Sequence, residues 1–359
     1  MEAKLLKAAS PSVILPQGSK ISKPSSYFTS KTNHCSSCRF PSLKNRVIQS
    51  IHVSPTPLRF ERKKRVDESQ NLTLDAIRNS LIRQEDSIIF SLLERAQYCY
   101  NAETYDPDAL SMDGFHGSLV EFMVRETEKL HAQVGRYKSP DEHPFFPVEL
   151  PEPMLPPLQY PKVLHPGSDL ININEQIWSM YFRDLLPRLV KEGDDGNYGS
   201  AAVCDTICLQ ALSKRIHYGK FVAEAKFQAS PDAYEAAIKA QVKFFFFAQS
   251  FLHFLSHIGF MIHTAAGFHI HFCCWHRVLQ DSQRLMDMLT YQRVEDVVKM
   301  RVEMKTKAYG QEVVVNGMED DDAGPVYKIK PSLVADLYGD WIMPLTKEVQ
   351  VAYLLRRLD

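Results

Sequence analysis

The sequence predicts an all-α protein with one helical domain behind a disordered N-terminal segment. Three observations lead there. Apolar residues recur at helical spacing from about residue 73 to the C-terminus, strand-like alternation is nearly absent, and no internal repeat is evident. A length of 359 residues by itself permits one large or two ordinary domains.

Residues 1–60 hold nine Lys or Arg, twelve Ser and a single acid, Glu2. This composition, without the compact apolar run of a secretory signal, is that of an organelle transit peptide. The remainder carries 33 basic and 42 acidic groups, a formal charge of −9 that argues against a nucleic-acid-binding body. Cys35 and Cys38 lack further zinc ligands nearby, and Cys99, Cys204, Cys208, Cys273 and Cys274 sit in apolar stretches, so all seven are expected to be free thiols.

From Thr73 to Asn101, Leu74, Ile77, Leu81, Ile88, Leu92 and Ala96 recur at helical spacing with Asp75 in the first turn, which predicts a long amphipathic helix. A second helix is expected over Leu119–Val134. Nine prolines between Ser139 and Asp169 rule out regular structure there. Phe145, Phe146, Leu155, Leu158 and Tyr160 make that stretch apolar enough to wrap over a helical core. Helix is expected again over Ile173–Val190. After the turn Gly193–Ser200 it runs through Ala201–Gln228, placing Arg215 and Lys226 eleven residues apart on one face of a single helix. Ser230-Pro231-Asp232 opens another helix, with Ser as cap and Pro in the first turn. Val294–Lys307 and Pro331–Leu358 complete the set.

Residues 242–280 break this composition, with nine Phe, six His and no acid in 39 residues. Three readings compete. Phe244–His276 is long enough for a membrane span, His263, His269, His271, Cys273, Cys274 and His276 have spacings that can ligate zinc, and the boundary residues Val242 and Gln280 fit an in-frame translated intron. The last is favoured, because its removal joins AIKAQ to DSQRLMDML in a polar, helix-compatible seam.

Arg78, Arg215, Lys226, Glu295, Thr346 and Gln350 combine polar groups with buried-looking helices. Two arginines, a lysine, a carboxylate, a hydroxyl and an amide suit a small dianionic substrate bearing a hydroxyl. This inventory points to catalysis by shape and electrostatics, without covalent or redox chemistry. The alternative for each residue alone is an ordinary helix-surface group.

From about Arg65 to Asp359, less the insertion, the chain resembles the eukaryotic all-helical chorismate mutase family, and most of all its plant plastid form. The resemblance is carried by IRNSLIRQEDSIIFSLLERAQ, GSLVEFMV, KSPDEHPFFP, LPPLQYP, GNYGSAAVCD, LSKRIHYGKFVAEAKFQ and PLTKEVQVAYLLRRLD. It implies a domain spanning 61–359, the rearrangement of chorismate to prephenate on the route to phenylalanine and tyrosine, no cofactor or metal, a homodimer in the plastid stroma, and no nucleic-acid or membrane partner. Arg78 and Arg215 are then expected to hold the two carboxylates, Lys226 to donate to the ether oxygen and Glu295 to accept from the ring hydroxyl. Thr346 supports that end of the pocket. Gln350 is the second ether-oxygen donor, where fungal relatives place a Glu, so activity is expected without a requirement for low pH. The resemblance also implies control by tyrosine, phenylalanine or tryptophan at the subunit interface. Gly199 and Ser200 match that effector site, with Asn197 beside them. Arg136 matches one of two adjacent fungal arginines, the other being Gly135 here, and Arg65 is a further effector contact. The runner-up is a nonproductive isoform disrupted by the insertion and acting at most as an interaction subunit.

Overall fold

A computed structural model describes residues 72–112, 114–156, 160–240, 284–312 and 325–359. The expected targeting segment 1–60, the insertion 242–280, Arg65 and the cysteines at 35, 38, 273 and 274 lie outside them. Leu158 does as well. All described residues belong to one compact unit, Glu61–Asp359. Among them every regular element is helical, as the sequence predicts, and the two β-bridges are isolated pairs.

The long first helix, α1, is Leu74–Arg95, opened by Thr73, whose hydroxyl accepts the Ala76 N–H. Its apolar stripe buries Ile77, Ile88 and Leu92, whereas Leu74 at its start stays exposed. α2 is Leu119–Gln133 and begins with a reciprocal capping box between Ser118 and Glu121. α3 (Asn174–Met180) and α4 (Leu186–Leu189) flank a π-helical turn, Tyr181–Leu185. α5 is Tyr198–His217 and α6 is Gly219–Ala229. α7 covers residues 231–240 and α8 residues 284–289. α9 is Gln292–Gly310, and α10 (Pro331–Leu337) leads through a second π-helical turn, Tyr338–Ile342, into α11, Met343–Arg356.

α5 is the central strut, packed by α1, α2, α3 and α11, while α6 lies against α11 and α9 against α1 and α10. A buried polar knot ties α1 to α5. The Arg95 guanidinium, fully buried, donates to Asp205 at 2.7 Å, to Tyr105 Oη and to the carbonyls of Tyr98 and Cys99. Asp205 also accepts from the hydroxyls of Tyr105 and Tyr181, each at 2.7 Å. A buried ion pair survives only when its remaining donors and acceptors are occupied, as they are here.

Among its described residues the proline-rich stretch contains nothing longer than single 3₁₀ turns, at Pro147–Glu149 and Ser168–Leu170. It wraps the core as a strap. The buried Glu128 carboxylate of α2 accepts the N–H groups of Phe145 and Phe146 at 2.7 and 2.9 Å, and Asn174 Nδ2 donates to the carbonyls of His143 and Pro144. Cys99, Cys204 and Cys208 are free thiols, in line with expectation.

One expectation is corrected. Arg215 and Lys226 do not share a helix: α5 ends at His217, Tyr218 intervenes, and α6 starts at Gly219. The break coincides with a close helix contact. A Cβ at Gly219 would lie 2.6 Å from the backbone oxygen of Thr346, so α6 approaches α11 at a distance that only glycine permits.

Candidate active site

Six helices line a cavity of about 780 Å³, with Tyr234 of α7 and Leu289 of α8 completing a wall built mainly by four others. α1 contributes Ile77, Arg78 and Glu85; α5 ends in Arg215; α6 supplies Lys226; α9 supplies Glu295 and Arg301. The break at Tyr218 therefore leaves Arg215 and Lys226 on different helices but in the same cavity wall. Five cations (Arg78, Arg215, Lys226, Arg293 and Arg301) face two acids (Glu85 and Glu295) around this space, an excess suited to a dianion.

Arg215 is 5% exposed, and its Nη1 donates to Thr346 Oγ1 at 3.3 Å. Its Nε has no partner among the described residues, and burial depresses the guanidinium pKa. A buried cation with a free N–H waits for an anionic partner. Lys226 Nζ donates to the Leu289 carbonyl at 3.1 Å. Burial pushes its pKa down to about 8, with Glu295 pulling it up and Lys347 pushing it further down.

Glu295 is held by Lys347, whose Nζ donates to Oε1 at 3.0 Å and also to Thr290 Oγ1 at 3.3 Å. Thr346 is buried behind Arg215, and Gln350 one turn on is 4% exposed. Gln350 Nε2 donates to the Thr346 carbonyl at 3.3 Å, and its Oε1 is buried without a partner among the described residues. Arg78 lies at the rim, 63% exposed at its side chain and paired with Asp75 at 2.6 Å.

So Arg78, Arg215, Lys226 and Glu295 line one cavity. Thr346 and Gln350 stand behind its wall rather than in it. Sequence reasoning missed Glu85, Arg301 and Lys347. Glu85 is 1% exposed and accepts from Arg301 Nε at 2.9 Å and Lys305 Nζ at 3.1 Å. The signal for it was an acid inside the buried stripe of α1, seven residues after Arg78. Arg301 and Lys347 gave no such signal, because each finds its acid on another element.

The effector residues fall elsewhere. Asn197 precedes α5, and Gly199 and Ser200 are exposed in its first turn. Arg136 lies beside the far part of α5, donating to Gln210 Oε1 at 2.8 Å and to Glu142 at 2.9 Å, with His131 Nδ1 also at 2.8 Å.

No family model matches the chain. Chorismate mutase 1, chloroplastic, of Petunia hybrida is 65% identical over 312 residues, 87% of this chain and 84% of that relative. The chain belongs to the chorismate mutase family. The crystal structure of AtCM1 with phenylalanine bound in its allosteric site superposes with a TM-score of 0.65, at 67% identity, covering 82% of this chain and 100% of that one. The same protein with tyrosine bound there gives a TM-score of 0.64 over the same shares at the same identity. The helical fold described above is therefore the chorismate mutase fold.

Proposed function

We propose that the chain converts chorismate to prephenate in the cavity between α1, α5, α6 and α9, under the control of aromatic amino acids. The observation that carries this reading is the wall shared by Arg215, Lys226 and Glu295 in a chain with this family membership. The reaction is intramolecular: one C–C bond forms as one ether C–O bond breaks, with no atom gained or lost. Its demands are a compact substrate conformer and stabilisation of negative charge growing on the ether oxygen.

Arg215 has a free buried N–H for one carboxylate, and Arg78 at the rim takes the other after exchanging Asp75 for substrate. Lys226 donates to the ether oxygen. Glu295, oriented by Lys347, accepts from the ring hydroxyl. Thr346 fixes Arg215, and Gln350, which stands behind the wall with Nε2 on the Thr346 carbonyl, is assigned the second ether-oxygen contact, made by turning its amide into the cavity. Lys226→Ala is expected to lower turnover by on the order of 10² or more; an unchanged rate removes Lys226 from the mechanism.

Control is assigned to Arg136, Asn197, Gly199 and Ser200, with Arg65 as a further contact, for phenylalanine, tyrosine or tryptophan. Gln210, which Arg136 touches, lies eleven residues after Gly199 on α5, about 16 Å along the axis. One amino acid cannot span that distance, so a complete site takes its two halves from two copies of the chain. Between them α5 exposes Val203 and Ile207, and the neighbouring α2 and its C-terminal cap expose Leu130 and Val134, an apolar surface fit for a homodimer.

Residues 1–60 are assigned as a plastid transit peptide and 61–359 as the catalytic and regulatory domain of this aromatic amino acid pathway. Residues 242–280 are assigned as translated intron. Their composition also supports the rival reading, an inactive isoform. Assaying prephenate formation with and without 242–280 separates an inactive isoform, active only in the shortened chain, from a tolerated insertion with equal activity, and RNA sequencing across the junction tests the intron: abundant transcripts containing the insert and none lacking it overturn that assignment.

A further inference from the structure

We propose that Tyr291 is a positioning residue for the reaction: its ring holds the Lys226 ammonium over the cavity while its backbone carbonyl seats the turn that presents Glu295. The inference rests on the reading of Lys226 as the ether-oxygen donor.

Lys226 Nζ lies 4.8 Å from the centroid of the Tyr291 ring, and the same ammonium donates to the carbonyl of Leu289, two residues before the tyrosine. No ion pair to Lys226 is present among the described residues. A lysine has four flexible carbons, and holding its three donors in one orientation costs rotamer entropy that a carboxylate partner usually offsets. A fixed carboxylate, however, would compete with the substrate for the donor. A ring face attracts the charge without accepting a strong hydrogen bond, and so leaves N–H groups available.

The second role lies on the backbone. Tyr291 precedes α9, and its carbonyl accepts from the N–H of Val294 at 2.8 Å and of Glu295 at 3.1 Å. The donor to the ether oxygen and the acceptor from the hydroxyl are thus referred to one residue. Tyr291 lines the cavity yet remains 52% exposed, which no core-packing role requires.

The test compares Tyr291→Leu, Tyr291→Phe and Tyr291→Trp in the full chain. Two readouts are taken: prephenate formation against pH, and the pH dependence of Lys226 acetylation measured by competitive labelling and mass spectrometry, which needs no turnover. Among the described residues, Glu295 on α9 and Lys347 on α11 act on the Lys226 charge, and the other titratable or charged groups that share its cavity are Arg293 and Arg301 on α9, Arg215 on α5, Arg78 and Glu85 on α1, and Tyr234 on α7. None of them is altered.

The ring stabilises the cation, so its loss in Tyr291→Leu should move the Lys226 titration to lower pH and reduce kcat/KM about tenfold. Tyr291→Phe and Tyr291→Trp keep a ring face and should leave both near the parent values. A Lys226 titration unmoved in Tyr291→Leu overturns the proposal, as does Tyr291→Phe behaving like Tyr291→Leu. Lys226→Ala with undiminished activity sinks instead the mechanism on which it rests.

Discussion

Lys226 should set the alkaline limit of activity. Burial lowers its pKa to about 8, so the ammonium that stabilises the developing oxyanion is lost as pH rises through that value. Gln350 does not titrate and imposes no acid limb. A pH profile of kcat/KM should therefore show no rise from neutrality toward mildly acid pH and should fall above about pH 8. In Lys226→Arg, whatever activity remains should show no such fall up to pH 9.5; a persisting limb assigns the titration to another group. These residues were legible in the sequence because each is a charge set among apolar helix positions. Their partners were not: Lys347 to Glu295, and Arg301 to Glu85, are pairings between elements far apart in the chain, which no periodicity encodes.

Helix existence was legible almost throughout, but the interruptions inside helices were not, and each has a local or tertiary cause. Both π-helical turns run into a proline, Pro187 in α4 and Pro344 in α11. A proline has no N–H and its ring clashes with the carbonyl four residues earlier, so the chain widens before it. The widened bonds are visible as the N–H of Leu186 donating to the Tyr181 carbonyl and that of Met343 to the Tyr338 carbonyl. Those prolines were in view in LLPRL and IMPL. The break between α5 and α6 was hidden, because a helical glycine costs only about 1 kcal/mol and marks no boundary by itself. What the glycine answers to is Thr346, across the interface. Gly219→Ala places a Cβ against that backbone oxygen, at 2.6 Å, and against Thr346 Cγ2 at 3.2 Å. We expect a loss of about 1–3 kcal/mol in urea unfolding. Activity should fall too, since Thr346 steadies Arg215. An alanine variant as stable as the parent shows that α6 can back away freely, and the close approach is then not what ends α5.

At the scale of the molecule, the proposed catalytic and effector residues lie apart along one strut. Arg215 lies in the last turn of α5, while Gly199 and Ser200 lie in its first. Arg136, beside the C-terminal half, is occupied within its own chain by Glu142, which also accepts from Lys214, the neighbour of Arg215. An effector carboxylate arriving at Arg136 therefore competes with a contact that touches the catalytic end. The sequence placed each of these residues, but not the distance between the two effector halves, which depends on where Arg136 meets α5. If the effector site is divided between two copies as proposed, control should depend on dimerisation and catalysis should not. Ile207, 52% exposed on α5, is remote from the cavity-lining residues. Ile207→Asp should tolerate solvent in a monomer but bury a carboxylate from each copy in the proposed dimer interface. Light scattering should then report a monomer, with prephenate formation retained and the response to tyrosine and phenylalanine abolished. A monomer that still responds would show that one chain holds a complete effector site, and the division of that site between two copies would be wrong.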